Sequence, residues 1–222
     1  MSEPIVQLYK LTRKEFREAL ERGEFQTAIV PTGSTEQHDE HLAMIHDTAS
    51  AEYIAVQAAR QLYPQVVVST PVAVGVSEHW MEFKGTLTLR REVFQEVVLD
   101  LCDSLRRHGV RRVLILNGHA GNIGPLTERL EEFRQRLGIP LEFRSHWDFV
   151  PPDLAAATIV TERIPGHASE YETSIAWAAF PQDVRPGDMV NPSSQAASRE
   201  KGETLIRAEV QGVVALLQEM IG

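Results

Sequence analysis

The chain has 222 residues, 43% of them hydrophobic and 24% charged, the balance of a globular protein with enough apolar material for one compact α/β unit. Lys and Arg number 22 against 31 Asp and Glu, giving a formal net charge of -9, and a surface of that sign repels phosphate backbones and anionic lipid, so neither nucleic acid nor membrane is an expected partner. No apolar run approaches the roughly 18 residues of a membrane span, and MSEPIVQLYKLTRKEF lacks the basic-then-apolar order of a signal peptide, so the expected location is the cytoplasm.

In chain order, Thr12 and Glu15 have the spacing of a capping box that opens a short helix running to about Glu21. TAIVPT, Thr27–Thr32, reads as a buried strand stopped by Gly33. Residues 48–62 are Ala-rich with apolar positions at helical spacing, and residues 66–74 (VVVSTPVAV) are β-branched and strand-like. Residues 91–108 form an amphipathic helix closed by Gly109; within it Cys102 shares a stripe with Val97, Leu101 and Leu105, which makes it a core thiol. As the lone cysteine it allows no intrachain disulfide.

Residues 113–116 (VLIL) form a second buried strand, 123–137 a helix with Gly138 at its end and Pro140 beyond, and 141–144 a further strand. The stretch 148–166, holding Pro151, Pro152 and Pro165, reads as irregular; helices follow at about 170–179 and 198–220, with a loop at 181–192 between them. Strands alternating with helices at these lengths predict a single-domain α/β fold over residues 1–222, its mainly parallel sheet covered on both faces. In such sheets ligands bind beyond the carboxyl ends of the strands. Three segments rich in metal-binding side chains follow predicted strands.

The first, GSTEQHDEHLAMIHDTA (33–49), holds Glu36, His38, Asp39, Glu40, His41, His46 and Asp47 without one Lys or Arg, unlike an ordinary solvated charge run. Glu36 and His38 are two apart, so on an extended segment they share a face and could serve adjacent ions. Asp47, at the start of the Ala-rich helix, has two carboxylate oxygens and could bridge two cations. The second, ILNGHAGN (115–122), sets His119 on a tight Gly-flanked loop, a poor place for core packing. A phosphate cradle is the rival there, but the spacing is neither a P-loop nor a dinucleotide fingerprint. The third, PGHASEYETS (165–174), carries His167 outside a helix that Glu170 and Glu172 open; one of these glutamates serves only the helix dipole.

Nitrogen and oxygen ligands without thiolate suit Zn²⁺, Mn²⁺ or Fe²⁺ and argue against a structural zinc finger. Two ions sharing a carboxylate could clamp a water, lower its pKa and polarise a carbonyl, while a nearby His protonates the departing nitrogen: amide hydrolysis. Ser34 is the competing nucleophile, but GSTEQ is not the G-x-S-x-G elbow.

Together the three segments resemble the creatininase (creatinine amidohydrolase) family. Further matches at SEHWMEFKGT, HGVRRVLILNGH, SHWDFV and ASREKGE extend the likeness over nearly the whole chain. The resemblance implies a three-layer α/β/α sandwich assembled as a homo-oligomer, often a hexamer, with two divalent ions per chain, Zn²⁺ foremost. It implies that Glu36, Asp47 and His119 hold one ion, that His38 and Asp47 hold the other, and that His167 is the catalytic histidine. Creatininase carries a Glu two residues after the histidine of the second segment, where this chain has Gly121; Glu172 is the expected substitute, with Glu170 its competitor. Trp147 falls on a pocket tryptophan, and His79 and Arg163 are further candidates for the substrate pocket; Arg163, if it reaches that pocket, favours a carboxylate- or phosphate-bearing substrate. The expected reaction is cleavage of a cyclic amide or formamide in a small nitrogenous compound. A formamidopyrimidine-type deformylase, a keto-sugar ring hydrolase, a peptide-processing enzyme of a cofactor maturation pathway and a non-catalytic metal-binding assembly protein are the alternatives.

Overall fold

The computed structural model describes residues 3–161 and 163–222. Thr12 opens α1 (Arg13–Glu21) through a reciprocal cap, its hydroxyl accepting from the Glu15 N–H and the Glu15 carboxylate accepting from the Thr12 N–H. There follow β1 (Thr27–Thr32), α2 (His46–Gln61), β2 (Val66–Val68), α3 (Arg91–Arg107), β3 (Arg112–Asn117), α4 (Ile123–Leu137) and β4 (Leu141–Ser145). The chain continues with α5 (Pro152–Thr158), α6 (Glu170–Ala179), α7 (Pro192–Gln195) and α8 (Arg199–Ile221).

The four strands form one parallel sheet in the order β2-β1-β3-β4. Their near-continuous apolar sequences follow from burial on both faces. Side chains alternate strictly. Ile29, Leu114 and Leu116 join a core with Ile54, Tyr171, Leu205 and Val213 of α2, α6 and α8. Ala28, Val30, Val113 and Ile115 join the opposite core with Phe94, Cys102 and Phe133 of α3 and α4. Three layers result, as the resemblance implies. Buried among these apolar neighbours, the Cys102 thiol is pushed up to about 12, so it is an inert core group.

Two elements differ from the sequence reading. The strand expected over 66–74 ends at Val68. Ser69 still donates to Ile29 O and Val72 to Pro31 O, but Pro71 has no N–H to give, and the ladder breaks around it. The stretch 148–166 is not wholly irregular, because Pro152 sits in the first turn of α5, where its fixed φ suits a helix start. Among the described residues no helix is long and apolar enough to cross a membrane.

Candidate metal centre

In register, Thr32 of β1 lies beside Asn117 of β3, and Asn117 beside Ser145 of β4, so these strands end at one edge and deliver the three polar segments together. Asn117 ties that edge. Its amide nitrogen donates to His119 O at 2.7 Å and Ser145 Oγ at 3.1 Å, and its oxygen accepts from Thr32 Oγ1 at 3.2 Å. Asn122 bridges to the first segment, donating to Gly33 O at 3.0 Å. Gly118 permits the close approach of α2: a Cβ there would stand 2.1 Å from Asp47 O.

Asp47, in the first turn of α2 and 2% exposed, is the hub. His38 Nε2 is 2.9 Å from its Oδ1, and His119 Nδ1 is 3.0 Å from its Oδ2. The two oxygens thus face two different imidazoles. Beyond them, Glu36 Oε1 lies 3.4 Å from His119 Nδ1, and Glu172 Oε2 lies 3.8 Å from His38 Nε2. Each histidine is aimed by its other nitrogen: His38 Nδ1 is 3.1 Å from Glu36 O, and His119 Nε2 is 3.1 Å from Val76 O. A backbone acceptor on one nitrogen fixes the tautomer and leaves the other free to ligate.

Buried polar atoms are normally satisfied, yet Glu36 Oε2, His38 Nε2 and Asp47 Oδ2 make no properly directed hydrogen bond. A donor set of imidazole nitrogens and carboxylate oxygens left without partners fits divalent ions. In the metal-free protein the groups share protons instead. Burial alone would lower His38 and His119, but Asp47, with Glu172 beside the first and Glu36 beside the second, lifts both to about 10. Burial raises Glu172 to about 8, with the opposing pull of His38 smaller than that penalty. Burial works against ionised Asp47 too, but the two imidazoles hold it well below the usual carboxylate range.

Glu170 and Glu172 stand two residues apart on α6, about 200° round the helix, and so face opposite ways. Glu172 lines the site. Glu170 is turned away and fully engaged, accepting from the Val160 and Thr161 N–H groups at 2.9 and 3.0 Å and from Lys201. Position 121 has no room for a carboxylate: a Cβ on Gly121 would meet Val76 O and His119 Nε2, each at 2.3 Å. Of the other first-segment candidates, Asp39 and Glu40 are exposed, and His41 is drawn off to Thr173 Oγ1 at 2.9 Å.

A cavity of about 120 Å³ opens over this cluster, lined by Glu36, Asp47, His79, Trp80, His119, Trp147, His167 and Glu172. His167 spans it, ring-stacked on Trp80 at 4.5 Å and tilted against His38 at 4.6 Å, with Nδ1 3.8 Å from Glu36 Oε1. The Gln37 amide nitrogen lies 2.8 Å from its Nε2. Burial, then the charge on His38, pushes His167 down to about 4. Ala168, at φ 47°, holds a conformation costly for a non-glycine residue and turns its N–H onto Glu172. His79 stacks on His119 at 5.8 Å. Arg163 does not reach the cavity. It is exposed and absent from the lining, for it precedes the lining Pro165 and Gly166 and extends to solvent, so it gives no ground for an anionic substrate. Trp80 and Gln37 escaped the sequence reading, although Trp80 adjoins His79 and Gln37 lies between two ligand candidates. A larger groove of about 660 Å³ between α1 and the turn after α3 holds none of these groups.

The sequence model of the creatininase family, described as creatinine amidohydrolase, matches residues 9–216. Creatinine amidohydrolase of Pseudomonas putida is 28% identical over 252 aligned positions, covering 95% of each chain. Mycofactocin precursor peptide peptidase of Mycolicibacterium smegmatis is 29% identical over 166 positions, covering 73% of this chain and 61% of its own length. Among solved structures, a Zn-Zn form of a creatininase mutant superposes with a TM-score of 0.85 at 26% identity, covering 97% of this chain and 98% of that one. A manganese form of creatininase gives 0.85 at 25% identity with the same coverage.

Proposed function

The chain belongs to the creatininase family of metal-dependent amidohydrolases, and from that premise we propose that it hydrolyses a C–N bond in a small cyclic amide or formamide. Glu36, Asp47 and His119 would hold one divalent ion, and His38, Asp47 and Glu172 would hold the other. The observation that carries this reading is Asp47, whose two oxygens face two imidazoles at 2.9 and 3.0 Å. When bound, the ions supply an acidified water and polarise the scissile carbonyl. The protein's own groups do the rest. Trp80 and Trp147 wall the cavity against bulk water. His167 lies with Nε2 2.8 Å from the Gln37 amide nitrogen and with Nδ1 turned toward Glu36 and the centre. It carries to the leaving nitrogen the proton that the attacking water gives up, so the ring ends as it began and the nitrogen does not depart as an unstable amide anion.

A space of about 120 Å³ suits a small molecule. Peptide processing is the second reading. Its support is the exposed pair Met81 and Phe83, 45% and 44% accessible, beside the lining Trp80, a surface on which a longer substrate could lie. The deciding experiment begins with elemental analysis of protein purified without chelator, where about two ions per chain are expected for a bridged site. A screen over creatinine, formamidopyrimidines, cyclic ureides and unstructured peptides follows. On the substrate found, His167→Ala should keep both ions and lower kcat by on the order of a hundredfold. Full rescue of that variant by added Zn²⁺ or Mn²⁺ would remove His167 from the catalytic step.

A further inference from the structure

One buried histidine takes no part in the mechanism above. His46 stands immediately before Asp47 at the start of α2 and is 4% exposed. On that side of the helix its buried neighbours are Ser50 and Ile54. Its nearest polar contact is Ser50 Oγ, 3.4 Å from Nε2, and its Nδ1 has no hydrogen-bond partner. A nitrogen left unpaired in the interior is destabilising. The ring is held firmly, edge-on to Phe180 at 5.6 Å and tilted against His38 at 5.1 Å. His38, His46 and Glu172 each offer a ligand atom, and these three atoms lie within 4.8 Å of one another.

We infer that His46 is itself a ligand of the second ion, completing a set of His38, His46, Asp47 and Glu172. The assignment rests on the two-ion reading above and extends it.

The test titrates metal-free protein with Zn²⁺ against a chromophoric chelator, comparing the unaltered chain with His46→Gln, which keeps a polar side chain of similar reach, and with His38→Ala as reference. One of the two binding steps should weaken at least about a hundredfold in His46→Gln, beyond the range for loss of an outer partner of a ligand, and the other step should not move. Two steps within a few-fold of the unaltered chain, in a protein that still folds, would overturn the assignment. A crystal structure of the unaltered protein grown with Zn²⁺ decides the matter even if His46→Gln does not fold. A ring nitrogen of His46 about 2.0–2.1 Å from the ion is expected, and a water standing between them refutes it. If the unaltered chain takes up a single ion, the two-ion reading fails. The same crystal then shows whether His46 or only its neighbours hold that one.

Discussion

Two groups of histidine and carboxylate lie buried beyond the carboxyl ends of β3 and β4, and they are finished very differently. In one, His146, Tyr171 and Glu209 close on each other. His146 Nδ1 sits 3.1 Å from Glu209 Oε2, and the Tyr171 hydroxyl donates to the other oxygen of Glu209. None of the fully buried side-chain nitrogens and oxygens of that trio lacks a partner. In the other, around Asp47, the distances are just as short, but Glu36, His38, Asp47 and His46 each keep an atom without a partner. Burial and charge therefore do not mark a binding centre by themselves. The surplus of unspent ligand atoms does, because a fold holds such atoms dry only where something else will take them up.

The sharpest way to break this comparison is Asp47→Ala. Removing the shared carboxylate should empty both positions by elemental analysis. Turnover should fall about a thousandfold or more, since the ions contribute several kcal/mol to the charged transition state. Full occupancy in that variant would end the bridging reading. Glu172→Gln should cost one ion of two, whereas Glu170→Gln, acting on a carboxylate engaged with Lys201 and the 160–161 backbone, should keep both; the reverse would mean the wrong glutamate has been assigned.

Glu209→Gln addresses the satisfied trio. It should lower unfolding stability by about 1–3 kcal/mol and leave metal content unchanged by the same elemental analysis; a lost ion would make the trio part of the centre.

The mildest test needs no substitution. In chelator-treated protein His38 and His119 stand at about 10 and Glu172 at about 8, all above their free values of about 6.5 and 4.3. A group whose folded pKa is raised contributes its stability below the free value and loses it as pH climbs through the folded one. The metal-free Tm should therefore decline between about pH 4 and 10, through Glu172 over the lower part of that range and the two histidines over the upper. Zn²⁺ affinity should rise over the same range, because binding must displace those protons. Asp47, shifted the other way, matters only below about pH 4. A metal-free Tm flat across this window would contradict the shared-proton picture.

Much of this was legible beforehand for a definable reason. Strands such as TAIVPT and VLIL announce themselves because burial on both faces demands continuous apolar runs, and a ligand cluster announces itself because seven metal-binding side chains between Glu36 and Asp47 serve no packing purpose. What stayed hidden depends on contacts distant in sequence. Trp80 gains its role only by meeting His167 across 87 positions, counting 167 less 80. Glu209 looked like any helix-surface glutamate. It did leave a trace, since it falls four residues from both Leu205 and Val213, on the buried stripe of α8. Arg163 is the opposite case, a pocket candidate that stands exposed and outside the cavity lining.

The trio has a consequence for how the protein is made. Tyr171 and Glu172 are adjacent on α6, and α8 grips that helix twice, through Glu209 on Tyr171 and Lys201 on Glu170. The ribosome delivers Glu36, His38 and Asp47 early, but the element that seats Glu172 is synthesised some 150 residues later, as the interval from Asp47 to Lys201 (201 less 47, or 154) in the sequence records. At the usual 5–20 residues per second that is roughly ten to thirty seconds. During that time the nascent chain displays an incomplete set of histidines and carboxylates. On the proposed ligand set, the complete metal centre forms only late in biogenesis, and a cell short of the proper ion at that moment would accumulate folded but empty protein.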